Sequence, residues 1–298
     1  MRRMWVGWLF LFPTLFLLGF FTMYPFIKVL DLSFRELDLK SVGKEMGRFV
    51  ALNNYRYLMR HDQQFWHSLG LTVLFVAVVV ILEFLIGLGL ALLLNREFKG
   101  KKFVIALAVI PTVMAPAAVG LMWSLAVNHE FGIVPYFLKS LGISLKQALL
   151  GSRSTALLTI MLMDIWQWTP FMFLIMLAGL HGLPKEPYEA AQVDRASKLQ
   201  IFRLLTLPLL KPLIVVALLL RVIDAFKTFD QVYVLTGGGP GDATELLALY
   251  AYRTNFRMWN LGYGAAVALV VYFVVLVVTA VFYTLTTAEK KGGAVSEA

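Results

Sequence analysis

Asp164, Gln167, Trp168 and Phe171 stand at i, i+3, i+4 and i+7 in an otherwise apolar stretch, so a helix there carries all four on one face. A second apolar stretch carries Arg221, Asp224, Lys227 and Gln231 at comparable helical spacing, and Glu83 sits alone in a third. Ionisable groups in such stretches are costly unless they pair or line a wet cavity, so each one asks for a partner or a purpose. Two chemistries suit the carboxylates. Asp164 and Asp224 could share acid–base work, or the two stripes could face each other across a polar path for a solute. Catalysis has little else to stand on: there is no HExxH and no Gly-x-Ser-x-Gly. His61, His67, His129 and His181 fall in loops or at the ends of apolar runs, which leaves no histidine cluster for a metal. Beside the polar path stands a simpler reading, in which Arg221 and Asp224, three apart on one helix, neutralise each other and lock helix packing. Glu83 has no partner on its own helix and fits a packing or inter-subunit hydrogen bond better than solute contact.

The elements that carry these residues are membrane spans. Of 298 residues, 59% are hydrophobic and only 15% charged, more apolar surface than one soluble core can hide. Six runs, 4–27, 69–94, 103–127, 155–180, 207–235 and 262–285, are each long enough to cross about 30 Å of hydrocarbon. The fifth contains Lys211, Arg221, Asp224 and Lys227, and its apolar heart is 213–220. The first is too long for a secretory h-region and lacks a small-residue cleavage site, so it is read as a span. At 1.5 Å per residue, Asp164 lies roughly 14 Å from one end of its run and Arg221 roughly 20 Å from Pro208, both near mid-membrane. Pro170 is expected to weaken the fourth span within two turns of Asp164. Lysine and arginine are about twice as dense in 1–3, 95–102, 181–203 and 288–298 as in the alternate segments, which puts both termini and the 184–206 loop in the cytoplasm. The net charge of +9 then follows membrane topology, and no basic run interleaved with aromatics points to nucleic acid. With no cysteine, disulfides, iron–sulfur clusters and thiol catalysis are excluded.

The chain reads as one domain, 1–298, and its loops point to partners. The outer loop 28–67 mixes charge with the stretch FVALNNYRYLM, and is either folded against the rest of the protein or a simple connector. The outer loop 229–260 contains Gly237, Gly238, Gly239 and Pro240, a hard break in the chain. No Gly-Lys-Ser/Thr follows it, so it does not read as a phosphate loop. A short helix is expected over 245–252, at the membrane surface. In the cytoplasmic loop, Pro184 and Pro187 can open a helix whose first turn holds Glu186 and Glu189, with Arg195, Lys198 and Arg203 toward its end. Ala190, Ala191 and Ala196 keep its surface flat enough for another protein's backbone to approach. Such a helix either transmits a push from a soluble partner or rests in the lipid headgroups.

The stretch EAAQVDRASKLQIFRLLTLP, 189–208, resembles the EAA motif of the membrane subunits of ATP-binding-cassette importers. Glu189, Ala190, Ala191, Asp194, Ala196, Phe202, Leu207 and Pro208 match the motif, while Arg195 stands where the family has glycine. The stretch LTGGGPGDATELLALYAYRTNF resembles the outer-loop motif of the maltose and glycerol-phosphate class, and the likeness runs from about residue 49 to the last span. The resemblance implies an all-α integral membrane protein, the type I importer permease fold: six transmembrane helices with a cytoplasmic coupling helix, in the inner membrane of a bacterium or archaeon. It implies an importer of a sugar, polyol or related carbohydrate, and no enzyme. The expected partners are a second six-span permease, two ATPase subunits and an extracytoplasmic solute-binding protein. No cofactor is expected on this chain, ATP and magnesium belonging to the ATPases. Tyr188, Glu189, Ala190, Ala191, Asp194, Arg195 and Ala196 are then expected to meet the ATPase, with Arg195 paired to one of its acids. Asp164, Trp168, Phe171, Arg221 and Asp224 are expected along the solute path, the rings stacking on a sugar face and the charges binding hydroxyls. The alternative from the residues alone is a secondary, proton- or ion-coupled transporter, although no inverted repeat is visible.

Overall fold

The computed structural model describes residues 2–38, 47–143 and 147–287, with side chains between residues 10 and 284. The 288–298 segment assigned to the cytoplasm lies outside the described residues, as does the 39–46 part of the first loop. Helices dominate: α1 (Arg2–Ser33), α2 (Asn53–Arg60), α3 (Gln63–Leu94), α4 (Lys101–Val113), α5 (Pro116–Ala126), α6 (Ile133–Ser140), α7 (Arg153–His181), α8 (Glu186–Val193), α9 (Lys198–Ile201), α10 (Leu207–Phe226), α11 (Asp230–Leu235), α12 (Leu247–Tyr252) and α13 (Leu261–Thr287). Five helical segments of the described chain are long and apolar enough to span a membrane, and the α4–α5 pair makes a sixth if counted as one. The chain falls into two compact units, 1–67 with 250–274, and 68–249 with 275–298.

In the first unit α1 turns its phenylalanines outward, Phe12, Phe16 and Phe21 all being exposed, as a lipid-facing helix requires. The described residues of the 28–67 segment hold one another in place. Strand β1 (Arg35–Glu36) pairs antiparallel with β2 (Arg48–Phe49). Asn54 donates to the carbonyls of Ser33 and Arg35 at 2.8 and 3.0 Å, and the Tyr55 hydroxyl donates to Ser33 Oγ at 2.7 Å. Asp62 caps α3 by accepting from the Phe65 amide at 2.9 Å, and its other oxygen accepts from the hydroxyls of Tyr250 and Tyr263. Burial, and then the Asp62 carboxylate, push the Tyr250 phenol above its ordinary range, so it remains a donor. The helix expected over 245–252 begins later, at Leu247, and runs into a π turn, Arg253–Arg257.

The second unit is built around α7, whose Ile160, Met163, Met172, Phe173 and Met176 are fully buried. Its neighbour α3 comes very close at Gly87, where a Cβ would stand 2.7 Å from the Met172 Cβ and 2.9 Å from the Phe173 amide nitrogen. Small residues allow such approach where no hydrophobic effect drives helices together. Three sequence expectations change here. The 103–127 run is not a straight span: α4 and α5 meet at 97°. Pro116 opens α5, and Ala115 before it is extended (φ −61°, ψ 133°), as the residue preceding a proline must be. Pro170, by contrast, leaves α7 unbroken. The fifth span ends at Phe226 and not near 235, and it starts earlier, because α9 runs through a π turn, Phe202–Thr206, straight into α10.

Candidate functional site

Helices α3, α7 and α10 each bring one ionisable side chain to a common buried point. Arg221 is only 1% exposed, and Glu83 and Asp164 are fully buried. The guanidinium meets Glu83 as a fork, Nε to one carboxylate oxygen at 2.6 Å and Nη2 to the other at 3.0 Å. Nη2 also donates to Asp164, and Nη1 to Asp224 at 3.3 Å. The planar fork of arginine suits this bidentate geometry as an ammonium would not. The guanidinium carbon lies over the Trp168 ring, 5.1 Å from its centroid, and Phe171 sits edge-on to that ring at 6.2 Å. Asp164, Trp168, Phe171, Arg221 and Asp224 are therefore gathered in one place. Asp164 and Arg221 are sealed inside it, while the Asp224 side chain is 45% exposed.

Gln231 does not continue the Arg221 stripe. Lys227 caps α10, the chain breaks at Thr228 and Phe229, and Gln231 belongs to α11, whose first turn opens on Asp230. From there its Nε2 donates to Asp164, while its Oε1 has no partner among the described residues. Gly120 lets α5 lie against this point, since a Cβ there would come within 3.0 Å of the Gln231 carbonyl. Beside the cluster opens a cleft of about 100 Å³, lined by Pro116, Trp168, Asp224 and residues 227–231. That volume is below the range of pockets that enclose a whole small ligand.

Two residues carry roles that their sequence position concealed. Glu83, expected to have a packing or inter-subunit bond, finds its partner in Arg221 of its own chain. Gln167 supports the bend: its Nε2 donates to the Met114 carbonyl at 3.2 Å, and Thr112 returns a bond to the Gln167 carbonyl at 2.7 Å. A carbonyl left bare at the break would cost several kcal/mol in hydrocarbon, and Gln167 covers it.

The 184–206 segment is not one helix. Pro187 and the acidic Glu186 and Glu189 occupy the first turn of α8, but the helix stops at Val193, so Lys198 belongs to α9 and Arg203 to the π turn beyond it. Asp194 closes the helix and Arg195 reverses the chain with φ at +55°. That is the left-handed region where a side chain costs about 1–2 kcal/mol and glycine costs little. Arg195 thus keeps the bend that glycine would make. Ser197 and Gln200 then form a reciprocal cap on α9 at 3.3 and 2.8 Å. Glu189, Ala190, Asp194 and Arg195 are exposed, Tyr188, Ala191 and Ala196 half-buried, and Val193 is 82% exposed. The Tyr188 hydroxyl hydrogen-bonds Thr206 Oγ1 at 3.1 Å, which ties α8 to the root of α10.

The glycine turn takes the conformations its composition permits. Gly237 and Gly238 have φ of +56° and +95°, and the Gly239–Pro240 bond is cis. Thr244 holds the turn closed, bonding the Gly239 carbonyl at 2.8 Å and Thr236 Oγ1 at 2.8 Å. Arg153 at the start of α7 pairs with Asp242 at 2.7 Å.

Apolar spans around a sealed charge cluster, with an exposed helix on a hairpin between two of them, define a multi-pass membrane protein of the transport class. The chain belongs to the family of binding-protein-dependent transport system inner membrane components, whose model matches residues 83–288. Among its relatives is the trehalose/maltose transport system permease protein MalF of Thermococcus litoralis, 37% identical over 281 residues, covering 94% of this chain and 93% of that protein. The sulfoquinovosyl glycerol transport system permease protein SmoG of Agrobacterium fabrum is 39% identical over 274 residues, covering 92% and 88%. A crystal structure of a bacterial ABC transporter involved in the import of the acidic polysaccharide alginate shares the fold. Its TM-score is 0.82 at 21% identity, with 96% of each chain covered.

Proposed function

We propose that this chain is one of two six-span permease subunits of an importer for a sugar, polyol or related carbohydrate, driven by ATP hydrolysed on two separate ATPase subunits. A solute-binding protein delivers the cargo on the opposite side. ATP and magnesium sit on those ATPases, and this chain contributes no nucleotide site and no catalysis of its own. In this reading both termini and the 184–206 segment face the cytoplasm, and the segments 28–67 and 229–260 face outward.

The observation that carries the proposal is the build of the 184–206 hairpin. It is an exposed helix ended by a left-handed residue, recapped by Ser197 and fused through a π turn to α10. Tyr188 to Ala196 present the surface that docks on the ATPase. Because the Tyr188–Thr206 bond and the continuous Lys198–Phe226 segment make helix and span one body, a displacement of α8 is delivered to the span that holds Arg221. The relatives named for trehalose, maltose and sulfoquinovosyl glycerol support a carbohydrate cargo. Trp168, Phe171 and Asp224 line or border its path, while Asp164 and Arg221 hold that wall in place from behind. The Gly237–Pro240 turn belongs to the outward face, beside the binding protein.

The test is purification of the complex from cells carrying its neighbouring genes, followed by uptake into vesicles. An ATPase that co-purifies, with uptake that follows internal ATP and ignores the proton gradient, supports the reading. Uptake by this chain alone, driven by an ion gradient, refutes it in favour of a secondary transporter.

A further inference from the structure

On the reading that a passing solute presents one polar edge to the cleft beside the cluster, which is too small to enclose it whole, we propose that this contact favours neutral, hydroxyl-rich solutes and disfavours anionic ones. Glu83 sets that preference by withdrawing Arg221 from the cleft.

An arginine in the middle of a span is the natural ligand for a carboxylate, sulfonate or phosphate. Here it is spent. Both oxygens of Glu83, together with Asp164 and Asp224, take four of its five donors, and its 1% exposure leaves no face for a solute. What the cleft presents instead is acceptors. Asp224 is 45% exposed on its side chain, and Asp230 is exposed. Among the described lining residues Lys227 is the one cation, against two carboxylates. A hydroxyl can donate to each of these acceptors, whereas an anionic group brings only more acceptors and a like charge. The Trp168 ring supplies the apolar wall on which a sugar ring rests. The fold itself carries no charge preference, since the same architecture serves an importer of an acidic polysaccharide. The preference lies in these side chains.

The experiment is equilibrium dialysis on the complete detergent-purified complex without binding protein, so that the permease alone discriminates. The probes are a neutral glucose disaccharide and the same disaccharide oxidised to a uronate. The wild type is expected to hold the uronate roughly tenfold more weakly, the weight of about one like-charge contact in a partly wet site. Glu83→Gln removes one of the three negative charges that balance Arg221 and should narrow the gap to about threefold or less. Asp224→Asn leaves the buried Glu83 fork in place and should narrow it as well, which keeps the idea testable if Glu83→Gln fails to assemble. Equal or tighter uronate binding in the wild type overturns the charge preference while leaving the site standing. An unchanged ratio in Glu83→Gln overturns the role given to Glu83. If neither disaccharide binds, nor any of a panel of polyols, the cleft is not a solute site and both readings fall together.

Discussion

Replacing Arg221 with methionine asks what the charge cluster is worth to the protein. The side chain keeps its volume and loses its five donors. Among the described residues Glu83, fully buried, then has no cation, and Asp164, also fully buried, keeps Gln231 as its hydrogen-bond partner. Breaking a buried ion pair from one side costs about 3–5 kcal/mol, because the abandoned charge must protonate or draw water inward. At about 2–4 °C per kcal/mol for a chain of this size, the melting temperature of the complex should fall by roughly 10 °C. Arg221→Lys retains the charge but cannot form the fork to Glu83, and should fall about midway. The informative variant is the double one, Arg221→Met with Glu83→Gln, which leaves a single buried carboxylate. It should melt above the Arg221→Met protein although Glu83→Gln alone lowers the melting temperature, a sign of coupling between the two positions that additive effects cannot give. The assay is fluorescence-detected size-exclusion chromatography after heating. Should Arg221→Met melt within about 2 °C of the wild type, well inside the shift that a broken buried pair produces, or the double variant melt below Arg221→Met, the cluster does not hold the three spans together.

Three further outcomes are expected. Gly87→Leu should destabilise by about 1–3 kcal/mol, because its Cβ meets the Met172 Cβ at 2.7 Å and backbone at 2.9 Å, and Gly87→Ala should already lower the melting temperature measurably. Arg195→Gly should leave uptake intact and stabilise slightly, while Arg195→Val should destabilise by about 1 kcal/mol or more beyond arginine, since φ of +55° is least tolerated by a β-branched residue; melting of the two variants checks the order. Glu189→Lys reverses the charge in the first turn of α8 and should leave insertion intact while ATP hydrolysis no longer yields uptake, read as solute moved per ATP consumed.

Much of the site is legible in the sequence because bilayers punish charge. Asp164 and Arg221 stand out wherever they point, and helical spacing alone sets Trp168 and Phe171 beside Asp164. Spacing fails where the helix does. Gln231 falls on the Arg221 stripe only if α10 continues, and the chain turns at Lys227 instead, so Gln231 reaches Asp164 from another helix. The bend between α4 and α5 is hinted at by Pro111 and Pro116, but Pro170 carries the same hint and leaves its helix continuous. The difference lies in what receives the backbone. At Met114 the side chain of Gln167, 53 residues away, covers the freed carbonyl, and no local pattern announces such a partner.

Glu83 shows the same limit from the other side. Its cost in the membrane is plain from its neighbours, and its partner is 138 positions distant. Long-range pairing of this kind is set by which helices pack, and that is decided by features as small as Gly87, whose missing Cβ lets α3 lie against α7. Arg195 is the converse case, a residue that looks wrong by motif and is right by backbone. The bend it makes is fixed from both sides, by the end of α8 at Val193 and by the Ser197 cap that starts α9, so the chain holds a left-handed residue there whatever its side chain. The 184–206 hairpin therefore depends on its two caps and on the Tyr188–Thr206 bond more than on a glycine, and substitutions at Ser197 or Tyr188 should damage it more than Arg195→Gly does.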